Sequence, residues 1–355
     1  MKIIREERKP GLDVVRCFAL FSVIGVHFFK NSNFYDVPIN GFGMFLLVLA
    51  KNFFMICVPL FIILSGHLLG NRQVSMSYYL RLIPILTVYL LASIACSLYR
   101  LVFIPNDFSV TGMLAGIFGY YTAPYGWYVG MYIGLFLLIP FLNILYYHIP
   151  TKTLKTVFIF SLVFVTAGGS LVNDYFPLFP NYWREMYPIT YYFIGCYLAE
   201  YPLKLKRHSN ALLIGIVIVI SGVVSYCQSY GSSFQSNLWQ EHGSIITTLQ
   251  AVLVFHFLAH GNYSRLGQKM RKLLSRISSY CLGAYLVSWI FDNIFYNILN
   301  SYQATVLGRS KFFIPVTIAV YVCSLLLSAG LNNIYQLTIK RIVNRLFSSK
   351  NVHSF

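Results

Sequence analysis

The stretch GLDVVRCFALFSVIGVHFF, residues 11–29, is long and apolar enough to cross a bilayer as one helix, yet it carries Arg16 and His27. Eleven residues separate the two, close to three helical turns, so they share one face about 16 Å apart along the axis. Burying an arginine and a histidine in a membrane helix costs free energy, and such residues usually serve a function. This pair is therefore the first candidate functional site.

The composition indicates an integral membrane protein. Hydrophobic residues make up 57% of the 355-residue chain and charged residues only 10%, which is outside the norm for soluble proteins. The net charge of +17 does not indicate nucleic-acid binding, because the Lys and Arg residues occur in short clusters between apolar segments. All seven cysteines lie in apolar runs without metal-ligand spacing, so we expect neither disulfides nor a metal site.

Apolar runs bounded by charge, Pro, Gly or Asn continue along the whole chain. They predict an all-α polytopic membrane protein, a single transmembrane domain over residues 1–355 with about ten helices. The predicted spans are 12–30, 52–70, 79–101, 127–147, 154–172, 186–201, 210–229, 244–260, 278–299 and 313–338.

The distribution of positive charge predicts the topology. With ten spans, 20 of the 27 Lys and Arg residues fall on the side of the two termini and six on the opposite side, Arg16 being the remainder. Because positive residues concentrate in cytoplasmic loops, this asymmetry predicts that both termini are cytoplasmic.

Two segments on the opposite side have unusual character. Residues 41–51 are predicted to form a short amphipathic lead-in to the second span, with Lys51 reaching the membrane interface. The 102–126 loop is aromatic and poor in charge, which is compatible with dipping into the membrane or with capping a cavity.

His27 has the expected depth of a catalytic group that serves the outer face. It lies about 15 residues, or about 22 Å, beyond the cytoplasmic start of its helix. Imidazole titrates near neutrality, so a histidine held there can take up a hydroxyl proton. Asp292 has the same expected depth in the ninth span and is a candidate partner that orients the imidazole. A structural histidine bonded to a neighbouring helix is the alternative.

A second cluster, formed by Arg16, Arg72, Arg81 and His67, is predicted at shallow depth near the cytoplasmic ends of the first three spans. Guanidinium groups match phosphate oxygens, so the cluster is a candidate phosphate-binding mouth. Asp13, one turn before Arg16, is a charge partner for it. Arg72 and Arg81 could instead only anchor their helices at the lipid headgroups.

Several segments, in order, resemble the acyltransferase-3 family of ten-helix membrane O-acyltransferases. The first, LDVVRCFALFSVIGVHFF, is the specific one, and the later segments are mostly apolar. The segments are LDVVRCFALFSVIGVHFF (12–29), VPLFIILSGHLLG (58–70), YLRLIPIL (79–86), GWYVGMYIGLFLLIPFL (126–142), YYFIGCYLAE (191–200) and SSYCLGAYL (278–286).

The resemblance implies transfer of an acyl group, commonly acetyl from cytoplasmic acetyl-CoA, to a hydroxyl of a surface polysaccharide such as capsule or of its lipid-linked precursor. It implies that Arg16 and His27 are essential, and either base catalysis or acyl acceptance by His27 agrees with it. Membrane lipid, acyl-CoA and a carbohydrate acceptor are the expected partners. The expected location is a cell membrane, the plasma membrane in a bacterium.

Two other functions stay open from the sequence. One is an exporter or carrier of a polysaccharide or small molecule, and the other is a non-catalytic membrane sensor or assembly partner. An exporter needs a continuous polar pathway, and intramembrane charge is sparse in this chain, which favours the enzyme. Loss of an acylated product when His27 is changed would separate the enzyme from both.

Overall fold

The computed structural model describes residues 9–107, 109–173, 176, 178–235, 239 and 241–339. Within these ranges the chain forms α-helices joined by turns and short 3₁₀ or π segments, with no β-strand element. The predicted all-α fold class is therefore confirmed. The helices are α1 (Pro10–Asn31), α2 (Gly41–Phe54), α3 (Cys57–Leu69), α4 (Met76–Tyr79), α5 (Leu82–Phe103), α6 (Val110–Phe118), α7 (Trp127–His148), α8 (Lys152–Ala167), α9 (Tyr187–Glu200), α10 (Arg207–Ser229), α11 (Ile245–Ala259), α12 (Gln268–Tyr302), α13 (Val306–Ser310) and α14 (Phe313–Ile334).

Each of the ten predicted spans overlaps at least one of these helices. Seven helical segments within the described ranges are long and apolar enough to cross a membrane, which makes this a multi-pass membrane protein. The predicted spans outside that set correspond to α9, α11 and the 35-residue α12. The total of ten crossings stays a prediction, and the two termini, residues 1–8 and 340–355, lie outside the described residues.

The second span differs from its prediction. It begins at Gly41 rather than at residue 52, and a break at Met55 and Ile56 divides it into α2 and α3. The prediction that Lys51 reaches the interface is wrong: its side chain is buried, with Nζ 4.5 Å from the centre of the Phe234 ring. The reason is that protein rather than lipid covers this side chain: α2 packs against α10, and Phe234, which follows α10, lies over Lys51.

The bounds of the first helix follow from its sequence. Pro10 occupies its first position, where a missing N–H has no cost. Asp13 in the first turn and Lys30 in the last turn complement the helix dipole. Helix α1 therefore starts and ends close to the predicted span 12–30.

Helix α1 is the central helix of the fold and carries the candidate residues. It packs against α3, α11, α12 and α14, and its buried face includes Val15, Ala19, Leu20 and Ile24. This packing places Arg16 and His27 inside the helix bundle rather than against lipid.

A close crossing of α3 and α9 lies beside this centre. A Cβ atom on Gly66 would overlap the carbonyl oxygen of Tyr192, and one on Gly195 would overlap that of Ile63. Small residues of this kind let membrane helices approach each other closely. The crossing fixes α3, which carries His67, next to α9.

Candidate active site

His27 on α1 faces Asp292 on α12 in the interior. The distance from Nδ1 of His27 to Oδ2 of Asp292 is 3.5 Å, and the two side chains are 14% and 1% exposed. Equal depth was predicted for these residues, but adjacency of their helices could not be. The structure brings the two side chains together at a separation slightly longer than a hydrogen bond, so a small movement would let the carboxylate orient the imidazole.

Tyr125 is a third member of this group, and the sequence did not single it out. Its hydroxyl donates a hydrogen bond to Oδ2 of Asp292 at 2.7 Å, and its buried ring stacks on the His27 ring with centroids 3.8 Å apart. It lies in the turn between α6 and α7, within the aromatic loop for which capping of a cavity was considered. The composition of that loop is the only sequence signal for Tyr125, and it does not distinguish one tyrosine from its neighbours.

Arg16 is fixed nearer the N-terminal end of the same helix. Its Nη1 donates a hydrogen bond to Oγ of Ser278 on α12 at 2.8 Å. Asp13 is a more distant partner, with Oδ1 3.9 Å from Nη1 of Arg16. Ser278 opens the segment SSYCLGAYL, but its contact with Arg16 joins residues 262 positions apart and leaves no local signal.

Two cavities meet at Arg16. A cavity of about 280 Å³ is largely apolar and aromatic, and Tyr128, Tyr132 and Tyr285 form part of its wall. A cavity of about 540 Å³ is more polar and is lined by Lys9, His67 and Asn71 among others. Arg16 and Leu68 line both, so these two residues lie between the polar cavity and the aromatic one.

The other predicted phosphate-binding residues are placed differently. His67 lines the polar cavity and packs against the ring of Phe255, 5.5 Å between centroids. Arg72 is exposed and lines an adjoining cavity of about 580 Å³, which shares Asn71 with the polar one. Arg81 is exposed and lines neither cavity of Arg16. The structure thus groups Arg16 with His67, with Arg72 next to them and Arg81 apart.

The backbone around Arg72 is held in place by α7. Nδ2 of Asn143 donates hydrogen bonds to the carbonyl oxygens of Leu69 and Arg72, at 2.9 and 2.7 Å. The hydroxyl of Tyr192 in turn donates to Oδ1 of Asn143 at 2.6 Å. This chain of bonds fixes the turn after α3. Asn71 of that turn lines both the polar cavity and the adjoining cavity of Arg72, so the wall between these two cavities is fixed as well.

Comparison with protein families assigns the chain to one family. Residues 9–332 match the model of the acyltransferase-3 family, described as an acyltransferase domain. This chain belongs to the acyltransferase-3 family. No curated protein and no solved structure matched it. The resemblance noted from the sequence is thereby confirmed, and the protein is a membrane acyltransferase.

The candidate residues of this acyltransferase lie on α1, on α12 and in the turn before α7. The imidazole of His27 is contacted by Asp292 and Tyr125. Arg16 lines both cavities, and Lys9 lines the polar one with it. In the described part of the chain no group of three or more His, Cys, Asp or Glu residues is arranged to hold a metal ion.

Proposed function

We propose that this acyltransferase moves an acyl group, commonly acetyl, from acetyl-CoA at the cytoplasmic face to a hydroxyl of a surface polysaccharide or its lipid-linked precursor. The observation that carries the proposal is the contact between His27 and Asp292 in the interior of a family member. We expect the protein in a cell membrane, the plasma membrane of a bacterium.

In this proposal His27 acts as the general base. Its imidazole takes the proton of the acceptor hydroxyl while the hydroxyl oxygen forms the ester bond to the acyl carbon. The thioester C–S bond breaks, and the proton passes from the imidazole to the departing sulfur. Asp292 holds the imidazole in the tautomer whose other nitrogen is free to accept that proton. A positioned base of this kind contributes roughly 10²- to 10⁴-fold to the rate.

Arg16 is proposed to hold the donor by its phosphate groups. Its guanidinium presents a planar fork of donors that matches phosphate oxygens, and Lys9 and His67 add further positive or polar groups to the same cavity. The aromatic cavity beyond Arg16 suits the uncharged arm and acyl group of the donor, because its wall is largely apolar. Arg72, in the adjoining cavity, is a second candidate for a donor phosphate.

The proposal is tested by the O-acetyl content of purified surface polysaccharide, measured by proton NMR. Cells carrying the intact gene, a deletion, His27→Ala or His208→Ala are compared at equal protein level. His208 is an exposed histidine at the start of α10 and serves as the matched control. We expect acetyl signals to disappear in the deletion and in His27→Ala and to persist in His208→Ala. Unchanged acetylation in all four strains would refute acetyl transfer to this acceptor and favour the carrier or the sensor.

A further inference from the structure

We propose that Tyr125 is a positioning residue that holds the site closed, because its hydroxyl occupies the Asp292 oxygen nearest His27 and its ring covers the imidazole. The inference rests on the role proposed above for His27. Opening of the site would then consist of withdrawal of Tyr125, followed by pairing of Asp292 with His27.

The first observation is the unequal sharing of Asp292. The Tyr125 hydroxyl lies 2.7 Å from Oδ2, a normal O–H···O distance, whereas Nδ1 of His27 at 3.5 Å lies beyond the usual N–H···O range. Nδ1 of His27 and Oδ1 of Asp292 are both buried without a hydrogen-bond partner among the described residues. The phenol, rather than the imidazole, therefore holds the carboxylate in this arrangement.

Burying polar atoms without hydrogen-bond partners costs free energy, so a rearrangement that pairs Nδ1 of His27 with Asp292 would stabilise the site. A carboxylate accepts hydrogen bonds on both oxygens, and a shift of about 0.6 Å would bring Nδ1 of His27 within normal bonding distance of Asp292. The hydrogen bond from His27 to Asp292, by which the carboxylate would orient a catalytic base, is not formed in this arrangement. Withdrawal of the Tyr125 ring, which is stacked on the imidazole, would let His27 move toward Asp292 and form that bond.

The second observation is the position of the Tyr125 ring. It stacks on His27 and also on Tyr285, with ring centroids 3.8 and 6.0 Å apart respectively. Tyr285 lines the aromatic cavity that begins at Arg16, and His27 does not. The Tyr125 ring thus separates the imidazole from that cavity, and a thioester arriving through it must displace the ring first.

The third observation is the segment that carries Tyr125. It is a turn, residues 119–126, in which Tyr120 has a φ of +61°, a left-handed conformation that costs a tyrosine free energy. The turn is bonded back to α6 through the Thr122 hydroxyl, which donates to the carbonyl of Met113 at 2.7 Å. Such a turn can carry Tyr125 away from His27 without unfolding a transmembrane helix.

Labelling of His27 by diethyl pyrocarbonate, read by mass spectrometry of its peptide, tests this closure without turnover. The full-length protein in lipid nanodiscs is labelled at about pH 8, where an ordinary imidazole is neutral. Tyr125→Phe keeps the ring and removes the hydroxyl, which bonds to Asp292 and also interacts with Asn31. We expect it to raise the labelling rate of His27 about tenfold, as for loss of one hydrogen bond to a charged group. Tyr125→Ala, which also removes the cover, should raise it at least as much.

Two controls isolate the effect. Tyr121→Phe makes the same change at an exposed tyrosine of the same turn and should leave labelling of His27 unchanged. His256 on α11 is buried and reports any general loosening of the fold, so its labelling should stay constant in every variant.

Equal labelling of His27 in the wild type and Tyr125→Phe, or an equal rise at His27 and His256, would overturn the proposal. Tyr125→Phe keeps the ring and is expected to fold even if Tyr125→Ala does not. Labelling does not depend on turnover, so the two proposals can fail separately. If the labelling rate of His27 rises in Tyr125→Phe but the wild type shows no acyl transfer, the proposed function is refuted and the closure stands. If the wild type transfers the acyl group but the labelling rate does not change in Tyr125→Phe, only the closure is refuted.

Discussion

Nη1 of Arg16 donates a hydrogen bond to Oγ of Ser278 at 2.8 Å, and this contact joins α1 to α12. The contact of His27 with Asp292 joins the same two helices further along. The two contacts are separated by about 16 Å on α1 and about 21 Å on α12, in the same chain direction, so the helices run parallel. Arg16 and His27 are therefore held by the same pair of helices, at positions far enough apart that a substitution at one can be tested separately from a substitution at the other.

The first prediction concerns Arg16 and the acyl donor. Arg16→Ala should raise the KM for acetyl-CoA by about tenfold or more, as expected for loss of a charge-assisted contact to a phosphate, while acceptor binding changes less. Donor and acceptor KM values of the purified protein in nanodiscs measure this. Arg81→Ala is the matched control, because Arg81 is exposed and lines neither cavity of Arg16, and it should change the donor KM less than about twofold. An equal loss of donor and acceptor binding in Arg16→Ala would count against the donor site.

The second prediction concerns Asp292, which acts through His27. Asp292→Asn should lower kcat by roughly 10²-fold or more and leave the KM for acetyl-CoA nearly unchanged, because the imidazole loses its orienting carboxylate. Adding Asp292→Asn to His27→Ala should cause no further loss, since residues that act as one unit are not additive. Independent, multiplying losses would show that Asp292 has a role apart from His27.

Local patterns in the sequence predicted more of the fold than of the site. The bounds of α1 follow from Pro10, Asp13 and the apolar run, all of which lie in one segment. The break at Met55 and the burial of Lys51 were missed, because the residues that contact them lie far away in the chain: His242 bonds to the Met55 carbonyl, and the Phe234 ring covers Lys51.

The same distinction applies to the site residues. Helical periodicity predicts that Arg16 and His27 share a face, and counting from the helix start predicts the matching depth of Asp292. Tyr125 and Ser278 reach the site only through long-range contacts, 167 and 262 positions along the chain from their partners. Contacts of this kind are set by helix adjacency, which a single sequence does not encode locally.

The third prediction is a loss of stability in mild acid that depends on His242. This residue lies between α10 and α11, and its Nδ1 donates to the carbonyl of Met55 at 3.0 Å. Burial, with the nearby charge of Lys51 acting in the same direction, lowers the pKa of His242 from 6.5 to about 4. The unfolded chain takes up the proton near its ordinary pKa, so the stabilisation is complete above about pH 6.5 and is lost as the pH falls toward about 4.

Thermal unfolding in detergent between about pH 7 and about pH 4.5 checks this dependence. The apparent Tm should fall with pH in the wild type and fall less in His242→Gln, whose amide can still donate to Met55 but does not titrate. His208→Gln, at an exposed histidine, should follow the wild type. The same pH dependence in all three proteins would assign the acid sensitivity to other groups.

The fourth prediction concerns the close crossing of α3 and α9. Gly66→Ala or Gly195→Ala places a methyl group against a backbone carbonyl of the facing helix, which cannot move aside as a side chain could. The two helices must separate, and overpacking of this kind costs about 1–3 kcal/mol or more. We expect the yield of monodisperse protein in size-exclusion chromatography to fall several-fold for either variant.

Gly215→Ala on α10 is the control, because its methyl group would meet no atom within 4 Å and alanine favours a helix. Its yield should equal or exceed that of the wild type, and similar behaviour of Gly66→Ala would show that the fold does not require this close approach.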